Sequence, residues 1–375
     1  MNLFRALVSL LLFGVILSFT GCEKTIVSEI KEQEVESSGI FNEEQSLPEE
    51  KITYLEKVGE IGDGFCDGEL NYFARITSIC IDREDNLYVA DSGHHKIFKL
   101  GSDGKLITYF GRQGQGPGEF LGRLRISAGN DGKIYVTDDG NWRLIRFLPS
   151  GEFSGMYPIV RGIYDEATVN SEGDIYLISK SGIKLIECYD SNFKFKRALI
   201  DFDYHLQFPY DKPSSLIGLR FPNNIEVIKL ITKNDNLVVI SNFSMKSFIF
   251  DRNNRKINEF NIEENEFVED FKKKLKKVKK QEIQLKAKFG SRSKSSGYFY
   301  GFSLPFKAFI DYDDTICLVY KKSDNTSYLY KYELDGTLFG ISKFPEKIDG
   351  LHLCSDSSGR VYAIRAGRSE IDIYK

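Results

Sequence analysis

The chain has 375 residues, 41% of them hydrophobic and 28% charged, with a formal net charge of −3. This length exceeds a single small core, and the composition is neither that of a disordered chain nor that of a multi-spanning membrane protein. The near-balanced charge excludes a whole-molecule basic field for gripping nucleic acid, and the abundance of Tyr (20) and Phe (29) over Met (3) leans toward β structure.

Met1 to Gly21 carries one early positive charge, Arg5, and then an apolar run from Ala6 to Phe19. At about 14 residues the run is short for a membrane span, which needs roughly 20, and it fits the apolar region of a secretory leader. It ends in Phe19-Thr20-Gly21-Cys22, which resembles a bacterial lipobox, with Phe19 where the motif prefers Leu. The resemblance implies removal of residues 1–21 and lipidation of Cys22. Two or three acyl chains anchor a protein durably, at about 0.8 kcal/mol per buried methylene. Glu23 follows the cysteine, not the Asp that retains some lipoproteins at an inner membrane, so the expected address is the outer membrane. Residues 22–50 are polar and glutamate-rich without a sustained period, and read as a flexible tether.

Beyond Cys22 lie Cys66, Cys80, Cys188, Cys317 and Cys354. An odd number in an exported chain argues against a complete disulfide framework, and no pair has zinc spacing. Four of them sit in apolar strand patterns, where Cys acts as a small hydrophobe.

From Arg75 the chain repeats itself. Ile76–Ile81, Asn86–Ala90, Lys96–Leu100 and Lys105–Phe110 read as four short strands, divided by Asp-Arg-Glu-Asp, Asp-Ser-Gly and Gly-Ser-Asp-Gly turns. Further copies run over Leu124–Ile159, Thr168–Ile200, Val227–Phe260, Ala308–Phe344 and Leu351–Lys375. Their second strands align Tyr88, Tyr135, Tyr176, Val238, Cys317 and Tyr362. Intervals of 47, 41 and 45 residues separate neighbours, except where insertions at about 201–224 and 261–305 lengthen the spacing. Four strands per unit at this period predict an all-β, six-bladed β-propeller over residues 51–375. The last unit ends after three strands. Ile52–Gly62 is an unassigned strand-like run, so it is expected to complete the last blade and close the ring.

The run Asp85-Asn86-Leu87-Tyr88-Val89-Ala90-Asp91-Ser92-Gly93-His94-His95-Lys96-Ile97 resembles an NHL repeat. With the lipobox and Gly116-Pro117-Gly118-Glu119-Phe120, the chain resembles the bacterial NHL-repeat-like six-bladed β-propeller lipoproteins, which share a fold and an address but not one activity.

In a four-stranded blade, the blade-to-blade connections and the second-to-third-strand loops lie on one face. Both insertions are blade-to-blade connections, so they belong there with Asp91–His95, Asp138–Trp142 and Gly111–Phe120. The second insertion holds a helical pattern (Phe267, Phe271, Leu275, Val278, Leu285, Phe289), acidic at its start and lysine-rich after. This is either a solvated helix packed over the propeller or a contact for anionic lipid, glycan or an acidic partner.

Tyr204, His205, Tyr210 and Arg220 in the first insertion, Tyr298 and Tyr300 in the second, and Trp142 are the candidate ligand-binding residues. Aromatic and arginine side chains stack on sugar rings or anchor peptides, and they equally cover an apolar rim. Glycan, peptide or an envelope protein are the partners such side chains suit, besides the lipid bilayer reached through Cys22.

An enzyme is the alternative. Propellers resembling the gluconolactonase group hold a metal through carboxylates and amides, and NHL-like amidating lyases hold zinc through histidines. Only His94, His95, His205 and His352 are present, and no spacing argument brings three together, so no metal, cofactor or catalytic residue is assigned. A metal-dependent hydrolase or lyase at the channel mouth is the competing reading.

Overall fold

The computed structural model describes residues 52–62, 72–159, 166–178, 184–201, 227–241, 246–262, 306–321, 326–348, 352–365, 367 and 369–375. The leader, Cys22, the tether, Cys66 and the helical pattern at Phe267–Phe289 lie outside the described residues. So does each insertion beyond its first residues. No helix falls among the described residues.

Two short strands come first, β1 (Ile52–Tyr54) and β2 (Lys57–Ile61). Blade one is β3–β6 (Ile76–Ile81, Leu87–Asp91, Lys96–Leu100, Leu106–Phe110). The parallel pair β7 (Arg112–Gln113) and β8 (Glu119–Phe120) follows in the glycine-rich connection. Blade two is β9–β12 (Leu124–Ala128, Ile134–Asp138, Arg143–Phe147, Phe153–Pro158). Blade three is β13–β16 (Thr168–Val169, Ile175–Ile178, Lys184–Tyr189, Phe195–Asp201), and blade four is β17–β20 (Val227–Ile231, Leu237–Ser241, Lys246–Phe250, Lys256–Asn261). Blade five is β21–β24 (Phe306–Ile310, Ile316–Lys321, Ser327–Tyr332, Leu338–Lys343), and blade six contributes β25–β27 (Leu353–Ser355, Val361–Ile364, Ile371–Tyr374).

One turn recurs in all six blades and sets the register. The first-to-second-strand hairpins begin at Asp82, Gly129, Asn170, Thr232, Asp311 and Asp356, and each of these amides donates to the carbonyl four residues on. Three residues into each turn the backbone takes positive φ, at Asp85, Gly132, Gly173, Asp235, Asp314 and Gly359. Gly, Asp and Asn are the residues that tolerate this conformation, which is why these breakers recur at fixed offsets. The register that follows pairs Cys80↔Tyr88, Ser127↔Tyr135, Thr168↔Tyr176, Leu230↔Val238, Phe309↔Cys317 and Cys354↔Tyr362.

Each blade buries apolar side chains against the next. Tyr88 and Ile97 pack with Leu124 and Val136. Tyr135 and Leu144 pack with Val169 and Leu177, and Tyr176 and Ile186 with Leu237 and Phe248. Blades four and five meet through Phe260 stacked on Tyr332 and an Asn258 amide donating to the Leu334 carbonyl at 2.9 Å. Phe309 and Val319 pack with Leu353 and Val361, and Tyr362 and Ile371 with Phe98 and Leu100. Six sheets with six mutual interfaces make an all-β, six-bladed propeller.

The N-terminal segment divides between two blades. β2 lies antiparallel on β27, pairing Lys57↔Tyr374, Glu60↔Asp372 and Ile61↔Ile371. β1, in contrast, lies parallel on β24 of blade five, pairing Ile52↔Ile341 to Tyr54↔Lys343. The sequence reading gave the whole run Ile52–Gly62 to blade six. The chain instead changes blades at Leu55–Glu56, where the Leu55 amide donates to Lys343 and Glu56 exchanges backbone bonds with Lys375. Lys57 and Arg365 both pair with the buried carboxylate of Asp372.

Candidate functional site

The inner strands surround the axis, and one register position along them carries the polar side chains. Four residues before the hairpin turn stand Ser78, Arg125, Glu166, Ile228, Lys307 and His352, one per blade. Glu166 is the hub. Its Oε1 accepts from Ser78 Oγ at 2.8 Å and meets His352 Nδ1 at 2.6 Å, joining blade three to blades one and six. Blades three and six are opposite in a six-membered ring, so the contact crosses the axis. The Lys229 ammonium donates to the Glu166 carbonyl from blade four. Burial acts to raise the Glu166 carboxyl. The charge and hydrogen bond of His352, the Arg125 charge and the Ser78 hydroxyl outweigh it and hold the group at about 2.

Hydroxyls continue this lacing between neighbouring inner strands. Ser78 Oγ accepts from the Ile126 amide at 3.1 Å, Ser127 Oγ donates to Ala167, and Thr168 Oγ1 donates to Lys229. Ser78 is fully buried and gives its proton to a carboxylate rather than to an imidazole, so the trio is not wired as a nucleophile with its base.

The turn end of the axis is tied across. Asn130 Nδ2 donates to Thr232 O and Asp235 Oδ1, both at 2.8 Å, joining blades two and four. Arg83 reaches the Lys233 carbonyl on the opposite blade at 3.5 Å. The Ser171 amide meets Asp235 at 2.9 Å, the Ser357 amide meets Asp85 at 2.9 Å, and Asn234 Nδ2 meets Asp314 at 2.9 Å.

At the other end, the mouth face, lie the second-to-third-strand loops and the blade connections. Two repeats fasten this rim identically. Asp91 accepts from the amides of Ala74, Arg75, Gly93 and His94 and contacts His94 Nδ1 at 2.9 Å. Forty-seven residues on, Asp138 accepts from Leu121, Gly122, Gly140 and Asn141 amides and from Asn141 Nδ2 at 2.6 Å. A Cβ on Gly122 would stand 2.3 Å from the Gly140 nitrogen, so the two backbones touch only because both are glycine. Arg143 and Asn141 bond the carbonyls of Gly114, Gln115, Gly116 and Glu119, holding the glycine-rich connection beside the blade-two loop. These carboxylates are spent on the fold. Among the described residues no group of three or more His, Cys, Asp or Glu could hold a metal ion.

Trp142 sits on this rim with a positive φ of 50° and 37% exposure. The other candidate ligand-binding residues, Tyr204, His205, Tyr210, Arg220, Tyr298 and Tyr300, lie outside the described residues, as does Cys22. The described chain reaches the first insertion at Asp201, paired with Lys184 beside the blade-three loop, and the second after Asn261, paired with Lys246 beside the blade-four loop.

Sequence reasoning named His352 only as one of four histidines with no metal-site spacing and assigned nothing to Glu166, Arg125, Lys229 or Lys307. The signal was present: a polar residue four positions before five of the six hairpin turns, where an inner strand otherwise reads apolar. Of the free thiols, Cys188 is pushed up to about 11 by burial, and burial also raises Cys80, Cys317 and Cys354.

The NHL repeat model matches residues 73–100, which span most of blade one. No curated protein matches the chain. Among solved structures, a member of the DUF4221 family from Bacteroides vulgatus is 11% identical with a TM-score of 0.52, over 87% of this chain and 99% of that one. An exported protein from Bacteroides fragilis is 11% identical with a TM-score of 0.53, over 86% and 95%. Virginiamycin B lyase from Staphylococcus aureus is 12% identical with a TM-score of 0.46, over 85% and 88%. At these identities the likeness is one of fold.

Proposed function

We propose that this chain is an exported lipoprotein, held at the outer membrane by a lipidated Cys22, whose propeller binds a glycan, a peptide or an envelope protein on its mouth face. In this reading β2 serves as the fourth strand of blade six and closes the ring, with the β2–β27 ladder as its support. The observation that carries the binding assignment is the asymmetry of the two ends. The turn end is occupied by side chains that tie non-neighbouring blades together, whereas at the mouth both insertions depart beside the second-to-third-strand loops. Long excursions on one face of a rigid scaffold are where recognition concentrates. Trp142 and the tyrosines of the insertions supply the aromatic surface.

Glycan and peptide arrays probed with the mature chain test this. Trp142→Ala, Tyr204→Ala and Tyr298→Ala are each expected to weaken binding about tenfold or more, as aromatic anchors do. Unchanged binding in all three overturns the assignment. For the anchor, Cys22→Ala is expected to abolish palmitate labelling and release the protein from the membrane fraction.

A further inference from the structure

One guanidinium holds the glycine-rich connection at the mouth, and an exposed sulfur lies against it. Arg143, buried in β11, donates from Nη2 to the Gly116 carbonyl at 2.9 Å and to the Glu119 carbonyl at 2.8 Å. From Nη1 it donates to the Gln115 carbonyl at 2.7 Å and to Met156 Sδ at 3.3 Å. Nη1 carries two hydrogens, so the carbonyl and the thioether each take one. A thioether is a weak acceptor, which makes Met156 the soft member of a set otherwise made of carbonyls. It is also the accessible one, 43% exposed on the outer strand β12.

We propose that Met156 is a reversible oxidation site, and that its sulfoxide tightens the hold of Arg143 on the glycine-rich connection. The oxidant is a peroxide. The Met156 sulfur lone pair takes one peroxide oxygen and the O–O bond breaks. The proton on that oxygen passes to the departing hydroxide, so a sulfoxide and one water form as sulfur loses two electrons and the peroxide gains them. The sulfoxide oxygen is a strong acceptor where the sulfur was a weak one, and its bond with the guanidinium is charge-assisted. It takes the Nη1 hydrogen that the thioether already faces, so the Gln115 bond is not displaced. An exposed, unbranched side chain has the rotatable bonds to draw back for the added oxygen. The guanidinium is then pinned from the blade side, and the three carbonyls it holds lose freedom with it. Arg143 follows Trp142, and Asn141 bonds the Gly114 carbonyl, so one side of the mouth rim stiffens whatever ligand binds there. The described thiols compete poorly for the oxidant, because burial raises Cys80, Cys188, Cys317 and Cys354.

The test treats the mature chain with hydrogen peroxide, maps the added oxygen by peptide mass spectrometry, and follows cleavage after Glu119 by a glutamate-specific protease. Oxygen is expected on Met156, and cleavage after Glu119 should slow about fivefold as one charge-assisted bond replaces a weak contact. Methionine sulfoxide reductase with dithiothreitol should restore the original rate. Met156→Leu removes the sulfur and should make cleavage insensitive to peroxide, which separates Met156 from Met245. Met156→Gln supplies an amide oxygen at similar reach and should slow cleavage without any peroxide. An unoxidised Met156, or an oxidised chain cleaved after Glu119 at the original rate or faster, overturns the proposal. Neither result touches the glycan and peptide arrays, so failure here is distinguishable from failure of the binding reading.

Discussion

Replacing Glu166 with glutamine keeps the shape of the axial hub and removes its charge. Hydrogen bonds to a charged group contribute about 1.5–3 kcal/mol each and neutral ones about 0.5–1.5. Two such bonds converge on Oε1, from Ser78 and His352. The Glu166 side chain is 32% exposed, and solvent screening places the loss at the low end, about 1–2 kcal/mol for Glu166→Gln. Glu166→Ala leaves His352 Nδ1 without this partner and Ser78 with only the Ile126 carbonyl at 3.4 Å, and should cost about 2–4 kcal/mol. The pH dependence is the sharper readout. The folded-state carboxyl is held at about 2, below its ordinary 4.5. A lowered carboxyl contributes stability above its ordinary value and loses that contribution as pH falls toward the folded value. Urea unfolding of wild type and Glu166→Gln should therefore differ at pH 5 and converge between pH 4.5 and about 2. Parallel pH curves for the two proteins would refute the hub.

Three other substitutions follow from the same geometry. Ile61, 7% exposed among Phe73, Phe98 and Ile371, should cost about 2–4 kcal/mol as Ile61→Ala. Val58→Ala, at the exposed second residue of the same strand, should stay within about 0.5 kcal/mol, with urea midpoints as the measure. Asp138→Ala strands the amides of Leu121, Gly122 and Gly140, and proteolysis between Gly114 and Arg123 should accelerate while the far blades stay protected. Cys188, with its thiol pushed up to about 11, presents only about one thiolate per thousand at pH 8, so iodoacetamide labelling of the folded protein should leave it unmodified by mass spectrometry.

The repeat was legible because its turns are chemically exacting. The positive-φ positions of the first-to-second-strand hairpins carry Asp or Gly, and these breakers stand at fixed offsets from Tyr88, Tyr135, Tyr176 and Tyr362. The rim carboxylates Asp91 and Asp138 were legible for the same reason, as turn residues bonded to backbone. The division of the N-terminal run was not. Ile52–Tyr54 and Lys57–Ile61 read as one strand, and only the tertiary position of the blade-five edge separates them. The hub was missed because Glu166 precedes a two-residue strand and each polar inner-strand residue looks incidental by itself. Convergence of Ser78, Glu166 and His352 is set by the ring, which brings together residues from three separate blades far apart in sequence.

Every placement of function on the mouth face requires that the first segment join the last blade. Hydrogen exchange at the amides of Ile371–Lys375 tests this directly, comparing a chain begun at residue 51 with one begun at residue 62. Strong protection in the longer chain and its loss at those amides in the shorter one is the predicted result. Equal protection in both would contradict the account.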